Sequence, residues 1–481
     1  MLFNSIEFAI FFPIVFSIYW LLDKNVKTQN LFLLASSYFF YGWWDWRYLS
    51  LILLCSVCNY AAGLFLMKTE NNKQRRFILT ACCIISLGVL GIFKYYNFFV
   101  ETFVDAFRLF NVQLNAGSLN LILPVGISFY TFHTLSYTID VYKRKFEPTK
   151  NIVSFFLFVS IFPLAMAGPI ERATNLLPQI YQRRTFDYTF AVDGLRQILW
   201  GLFKKIVIAD NCAHAADLIF NNSGSHSGST LLIGAIFFTF QIYGDFSGYS
   251  DMALGIGKLL GFKFLRNFSF PYFSRDIAEF WRRWHISLTT WFRDYLYIPL
   301  GGSKGSKWQV ARNTFVIFLI SGFWHGANWT FIAWGAYHAL LFLPLIILGK
   351  NRKYTNTVAE GKLLPNLKEI VQMGITFILV VFGWILFRAE NITHACNYIS
   401  EIFSMSLFTF PSYYNIFSRW DIIFIAISMI IEWLGRNNQH ALEKFGSKWK
   451  WYFRWGFYYT VIIVIIFFQR DEIQQFIYFQ F

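Results

Sequence analysis

The feature that most constrains this chain is its succession of apolar runs. A helix needs about 20 predominantly apolar residues to cross the hydrocarbon core of a bilayer. Runs of that kind recur at roughly 6–22, 31–43, 47–67, 77–99, 119–142, 151–168, 194–209, 230–260, 311–324, 329–349, 368–388, 402–434 and 453–469. No soluble core needs 59 Phe, 26 Tyr and 18 Trp in 481 residues. Only 14% of the residues are charged, against about 25% in a soluble domain. In hydrocarbon each backbone N–H and C=O must find its partner within the segment, so such runs fold as helices. The expected fold class is an all-α polytopic membrane protein with about ten to twelve membrane helices. Runs that are short or carry Gly and Pro are expected as re-entrant or interfacial pieces.

The formal net charge is +15, from 42 Lys and Arg against 27 Asp and Glu. In a soluble protein this would raise nucleic-acid binding. Here the basic residues stand in short clusters between apolar runs, such as "DKNVK", "KTENNKQRR", "YKRKFEPTK" and "KNRK". The positive-inside rule assigns such loops to the cytoplasm and places the N-terminus outside. Nucleic acid is excluded as a partner. The start, "MLFNSIEFAIFFPIVFSIYWLL", has no basic n-region and no small-residue cleavage site, so it reads as a first span. Cys55 and Cys58 form a C-x-x-C inside an apolar run, and no second pair stands at zinc-ribbon spacing. The six cysteines are expected as packing residues, with no metal site. There is no repeat, low-complexity tract or polar stretch of domain size, so residues 1–481 are expected to form a single membrane-embedded unit.

Residues 274–302, "SRDIAEFWRRWHISLTTWFRDYLYIPLGG", carry a helical periodicity. Ile277, Phe280, Trp281, Trp284, Leu288, Trp291, Phe292 and Tyr295 fall on a stripe about 120° wide at 100° per residue. Arg275, Glu279, Arg282 and Arg293 lie away from it, and Ile286 is the exception on the polar face. The pattern predicts one amphipathic helix over 274–296, lying at the cytoplasmic interface with its tryptophans in the lipid boundary. His285 sits at the edge of the stripe. It is either an interfacial side chain or a histidine at the mouth of a site that meets a cytosolic substrate. The loop that follows contains G-x-S-x-G by its letters (Gly301, Ser303, Gly305), but no strand precedes it, so it is not a nucleophile elbow. A basic glycine loop of this kind is either a solvated linker or a contact for an anionic cosubstrate such as a coenzyme A phosphate.

From Val316 to Ile347 the chain is apolar for longer than one span requires. Gly322, Gly326 and Asn328 cluster near the middle and predict a break or kink. Non-helical backbone at membrane depth is tolerated only where protein buries it or it lines a cavity. His325 sits at that break, and Gly326 beside it is expected to leave room for a ligand. His338 follows 13 residues on, which along one helix is about 220° of rotation and roughly 20 Å of rise. The two cannot share a site unless the chain folds back, so His338 is expected as a helix–helix hydrogen bonder or supporting group. His285 and His325 stand on separate elements, and the fold is free to bring them together. Residues 230–260 also carry Gln241, Asp245, Ser247, Ser250 and Asp251 among glycines, expected to form a polar lining or interhelical hydrogen bonds. Asp140, beside a basic loop, is expected at a membrane edge.

Three stretches stand in order: "IYGDFSGYSDMALGIGKLLGF", "FWRRWHISLTTWFRDYLYIPLGG" and "SGFWHGANWTFIAWGAYH". Together they resemble the membrane-bound O-acyltransferases, specifically the bacterial branch of the alginate O-acetyltransferase type. "MLFNSIEFAIFFPIVF" and "LPVGISFYTFHTLSYTIDVY" resemble it too. The likeness runs to about residue 390, with the motif-bearing core at roughly 119–390. It implies membrane helices around a central tunnel, entered by an acyl donor from the cytoplasm and left by the acyl group on the other side. The family's WHG histidine falls on His325, and the second histidine of the branch, in an "RRWH" context, falls on His285. The resemblance implies that His325 activates the acceptor as a general base and that His285 orients donor or acceptor. A neutral imidazole suits a base near neutral pH, and desolvation favours that form. Asp245, Asp251, Trp324 and Asn328 are candidate tunnel or substrate residues, and the three polar ones are candidates to orient the imidazoles.

The resemblance also implies acetyl-CoA as donor substrate with no permanently bound cofactor, and a bacterial inner membrane location. The acetyl group would end on an exported polysaccharide, through an extracytoplasmic SGNH-hydrolase-like partner. Peptidoglycan O-acetylation and D-alanyl transfer toward teichoic acid are the alternatives within the family. A proton-coupled transporter would often show inverted repeats, and none is found. A glycerolipid acyltransferase of the soluble-faced kind needs H-x-x-x-x-D, but His285 has Thr290 at that position and His338 has Leu343.

Overall fold

The computed structural model describes residues 1–108, 110–112, 114, 117, 119, 124–166, 168–411, 416–470 and 474–477. Among the described residues every regular element is helical. Parts of three expected spans, 120–123, 167 and 412–415, lie outside the described residues. The chain falls into two compact units, residues 1–191 with 256–265, and residues 192–255 with 266–481.

The first unit holds α1 (Ile6–Leu21), α2 (Val26–Gly42), α3 (Leu49–Lys68), α4 (Asn72–Arg108), α5 (Ile127–Tyr142), α6 (Ile152–Ser160), α7 (Phe162–Ala165) and α8 (Ala173–Tyr181). Polar side chains join these helices where apolar packing gives little drive in lipid. Asn59 on α3 accepts from Thr138 of α5 at 2.7 Å and donates to Ser86 of α4 at 3.1 Å. Cys82 of α4 lies 3.1 Å from the same Asn59 oxygen, so it serves both packing and polar pairing. Buried Asp140 pairs with the half-exposed Lys145 at 2.9 Å, at the end of α5 as expected of a membrane edge.

α9 (Tyr188–Leu202) leads into the second unit and continues as a π-helical turn, Phe203–Ala209. Then come α10 (Asp210–Asn221), α11 (Gly228–Leu259), α12 (Ile277–Arg283), α13 (Ile286–Phe292), α14 (Lys307–His325), α15 (Trp329–Ile347), α16 (Leu367–Arg388), α17 (Ile392–Ile402), α18 (Arg419–Gly435) and α19 (Trp451–Phe468). The glycines of 244–255 have a packing reason. A Cβ on Gly248 would stand 2.8 Å from the Gly201 carbonyl, and one on Gly255 2.5 Å from the Gly194 carbonyl. α11 and the end of α9 therefore meet backbone to backbone, as small residues permit in membrane helices.

Among the described residues, six helical segments are long and apolar enough to cross a membrane: 46–68, α4, α11, α15, α16 and α19. Other apolar runs are shorter or broken. α1 is apolar but has 16 residues. The run at 151–168 breaks at Ile161, where Pro163 stands at the head of α7 and cannot continue the preceding helix.

The stretch 274–296 differs from its periodicity. It is two short helices, α12 and α13, followed by a π-helical turn at Arg293–Tyr297. Its stripe does not meet lipid either. Trp281, Trp284 and Trp291 are all buried in protein. Arg275 and Glu279, expected on the solvated face, are buried as well and pair at 3.0 Å, with Arg283 on the other Glu279 oxygen at 2.9 Å. The stripe was a true sign of burial, but periodicity cannot say whether lipid or protein covers it.

Candidate active site

His285 stands at the break between α12 and α13. Its backbone is left-handed, with φ 43° and ψ 53°. That region disfavours L-residues by roughly 1–2 kcal/mol, and histidine enters it more readily than most. The surroundings hold the turn in place. Ile286 donates its N–H to the Asn267 carbonyl at 2.9 Å, and Ser269 donates to the Arg283 carbonyl at 2.9 Å. The Asn267 Oδ1 receives His285 Nδ1 at 3.0 Å and Ser287 Oγ at 3.0 Å. Its amide nitrogen donates to Ser250 Oγ of α11 at 3.3 Å. An amide oxygen accepts, so Nδ1 carries the proton and Nε2 the lone pair that a general base needs. Burial pushes the His285 pKa down to about 3, so the ring is neutral at physiological pH.

His325 is the last residue of α14, and the chain turns back immediately after it. Gly326 is extended, and Asn328 caps α15 by accepting from Thr330 N at 3.0 Å. α14 and α15 approach so closely that a Cβ on Gly322 would stand 2.2 Å from the Phe331 carbonyl. One on Gly335 would stand 2.3 Å from the Phe318 carbonyl. The break is therefore a tight hairpin. The imidazole of His325 is buried against the rings of Trp324, Trp334 and Phe387, with centroids at 5.0, 5.1 and 5.3 Å.

Both histidines line one cavity of about 470 Å³. Thr289, Thr290 and Ser321 add hydroxyls, and Trp281, Trp284 and Phe318 add apolar walls. Trp324 joins the two imidazoles from behind, with its ring 6.1 Å from His285 and 5.0 Å from His325. The exposed lining is basic: Arg282, Arg293 and Arg352. Ser303 of the glycine loop also lines the cavity, held at 3.1 Å from Tyr297 Oη. Buried imidazoles on one side and surface guanidinium groups on the other suit a reactive group attached to an anionic carrier.

The remaining expected residues sit elsewhere. Asp245 and Asp251 are not among the residues that line this cavity. Asp251 pairs with Lys204 at 2.7 Å and accepts from Gln197 at 2.8 Å. Asp245 pairs with Lys205 at 2.8 Å, and Lys205 also holds Asp210 at 2.8 Å. Both lysines lie on the π-helical turn. These carboxylates neutralise buried lysines and do not orient an imidazole. Asn328 caps a helix and donates to the Glu390 carbonyl at 2.8 Å. The space beside Gly326 is not a ligand's, because a Cβ there would stand 2.0 Å from the Phe331 ring. The glycine makes room for that phenyl group. His338 is fully buried but finds no hydrogen-bond partner for either ring nitrogen among the described residues, so it is not the interhelical hydrogen bonder expected. It sits among Trp281, Trp334 and Tyr337, with centroids at 5.0, 5.0 and 5.4 Å.

Sequence reasoning missed Asn267, which orients His285. A lone asparagine 18 residues upstream, in the aromatic loop "LRNFSFPYF", carries no spacing signal. It also missed Arg352, whose sequence neighbourhood reads as an ordinary basic loop.

A sequence model of the membrane-bound O-acyltransferase family matches residues 38–388. The chain is 42% identical over 407 residues to the Pseudomonas aeruginosa protein named "Probable alginate O-acetylase AlgI", which covers 84% of this chain and 75% of that one. It is 36% identical over 436 residues to the peptidoglycan O-acetyltransferase of Helicobacter pylori, covering 84% and 80%. It is 28% identical over 289 residues to the teichoic acid D-alanyltransferase of Bacillus subtilis, covering 57% and 71%. With the family matched across most of its length, and with several helices fit to span a bilayer, the chain is a multi-pass membrane enzyme, an O-acyltransferase of the membrane-bound O-acyltransferase family.

Proposed function

We propose that this enzyme takes an acetyl group from cytoplasmic acetyl-CoA and passes it across the bacterial inner membrane for O-acetylation of an exported, alginate-like polysaccharide. The observation that carries the reading is the shared cavity, with buried His285 and His325 on one side and exposed arginines on the other. The similarity to proteins named for alginate O-acetylation supports the acetyl group and the polymer. The basic loops support a cytoplasmic entry for the donor.

In this reading the cavity arginines pair with the phosphates of coenzyme A and the thioester points inward. His325 takes the proton of the acceptor hydroxyl as its oxygen attacks the thioester carbonyl. The C–S bond breaks, and the proton passes to the departing thiolate. His285 acts with Nε2 toward the reacting groups, its tautomer held by Asn267. An extracytoplasmic SGNH-hydrolase-like protein completes the transfer to polymer.

The direct test is labelled acetyl transfer from acetyl-CoA in membranes, with His325→Ala at wild-type membrane level. Retained polysaccharide O-acetylation in that variant would remove the assignment. Arg352→Glu tests the donor side. It should raise KM for acetyl-CoA and leave kcat nearly unchanged, and an unchanged KM would contradict the phosphate contact. Peptidoglycan acetylation is the second reading, favoured by the 436-residue alignment to the Helicobacter enzyme. Recovery of label in muropeptides, and none in exported polysaccharide, would select it.

A further inference from the structure

The C-terminal segment runs into the second unit beside the histidine cavity. Past α19 the chain is tied to Asn211 of α10, whose amide donates to the Phe468 carbonyl at 3.1 Å and whose oxygen receives Arg470 Nε at 3.0 Å. The Gln474 carbonyl accepts from Lys205 Nζ at 3.1 Å. Ile477 donates its N–H to Asp245 Oδ2 at 2.6 Å. The buried Lys205–Asp245 pair thus completes its hydrogen bonding with the backbone of this segment. Phe476 is fully buried. Its ring packs on Tyr249 and Phe246 of α11, with centroids at 4.8 and 6.0 Å. Phe246 in turn stands edge-on to the His285 imidazole, at 4.6 Å and 85°.

We infer that residues 474–477 are a positioning element of the transfer site, with Phe476 backing Phe246 so that Phe246 holds the His285 ring in place. The ring then has three neighbours that set it: Asn267 at Nδ1, and the Trp324 and Phe246 rings packed against it. This also gives Asp245 its role, as the anchor of the segment through a backbone N–H. Residues 474–477 carry no acid or base, so they act only through what they touch. The inference rests on the reading that His285 serves acyl transfer.

Two readouts on the full chain test it. The first is kinetic. Phe476→Ala should lower kcat by about ten- to a hundredfold, the scale of an ångström-level misplacement, with KM for acetyl-CoA nearly unchanged. Phe476→Leu, which keeps an apolar side chain against Phe246, should recover most of that loss. The second readout needs no acetyl transfer. Carbethoxylation of histidines by diethyl pyrocarbonate, read by mass spectrometry, should rise severalfold at His285 in Phe476→Ala and stay unchanged at His338. If Phe476→Ala does not accumulate, both readouts are taken on full-length Phe476→Val, with a loss of kcat and a rise in His285 labelling larger than in Phe476→Leu expected. Wild-type kcat together with wild-type His285 labelling in the variant that accumulates overturns the inference. A wild-type enzyme that transfers no acetyl group sinks the functional reading instead, and the labelling still reports on the positioning.

Discussion

His325 and His338 belong to the same helical hairpin and share a neighbour, since the Trp334 ring meets both edge to face. Both are buried. They differ in what lies beyond the ring. His325 ends α14 at a turn and lines the cavity, while His338 is mid-helix in α15, enclosed by aromatic rings and absent from the cavity wall. The chain does fold back, which brings the two closer than a single straight helix would allow. Burial and residue type do not separate these two histidines. Access to a cavity does.

The comparison breaks most visibly by substitution. His325→Ala is expected to lower acetyl transfer by about 10²–10⁴-fold, the span of general acid–base contributions. His338→Leu removes two buried nitrogens that lack partners at nearly constant volume, which is close to neutral or stabilising. Its transfer rate should stay near wild type at equal membrane level. His285→Asn comes next. Asparagine tolerates the left-handed backbone, so the turn survives and only the imidazole is lost, and a fall of about 10²-fold is expected.

The same variant tests the buried neutral ring. The folded His285 pKa, about 3, lies below the unfolded value of about 6.5. Between those values the unfolded chain binds the extra proton, so stability is complete above about 6.5 and falls as the pH drops toward 3. Thermal melts in detergent across that window should show a slope shallower in His285→Asn, by up to about 1.4 kcal/mol per pH unit. Equal slopes would mean the imidazole is hydrated in the folded protein. Asn267→Ala sharpens the picture at smaller scale. It frees the tautomer and orientation of His285, and about a tenfold loss of kcat with little change in KM is expected. The smallest effect belongs to Asn328→Ala. Losing a helix cap should cost about 1 kcal/mol of stability without touching kcat, and a catalytic defect at normal stability would return Asn328 to the site.

Much of this was legible in the chain. The polytopic helical fold follows from run length and charge poverty. The break after His325 follows from Gly322, Gly326 and Asn328. What the letters could not supply was direction. The stripe of 274–296 signalled burial, but not that protein would cover it or that His285 would interrupt it with a left-handed turn. The acidic residues of α11 read as a polar lining or as interhelical hydrogen bonders, and the second holds, but their partners could not be named because Lys204 and Lys205 lie some 40 residues upstream in a run that looked like an ordinary span. Asn267 was out of reach for the same reason, since its bond to His285 depends on tertiary structure and follows no helical spacing.

The most direct test sets the two hairpin histidines side by side. Labelled acetyl transfer from acetyl-CoA is measured for His325→Ala and His338→Leu in membranes holding equal amounts of each protein. The account predicts that the first loses transfer almost completely and the second keeps it. Loss in His338→Leu with transfer intact in His325→Ala would contradict it.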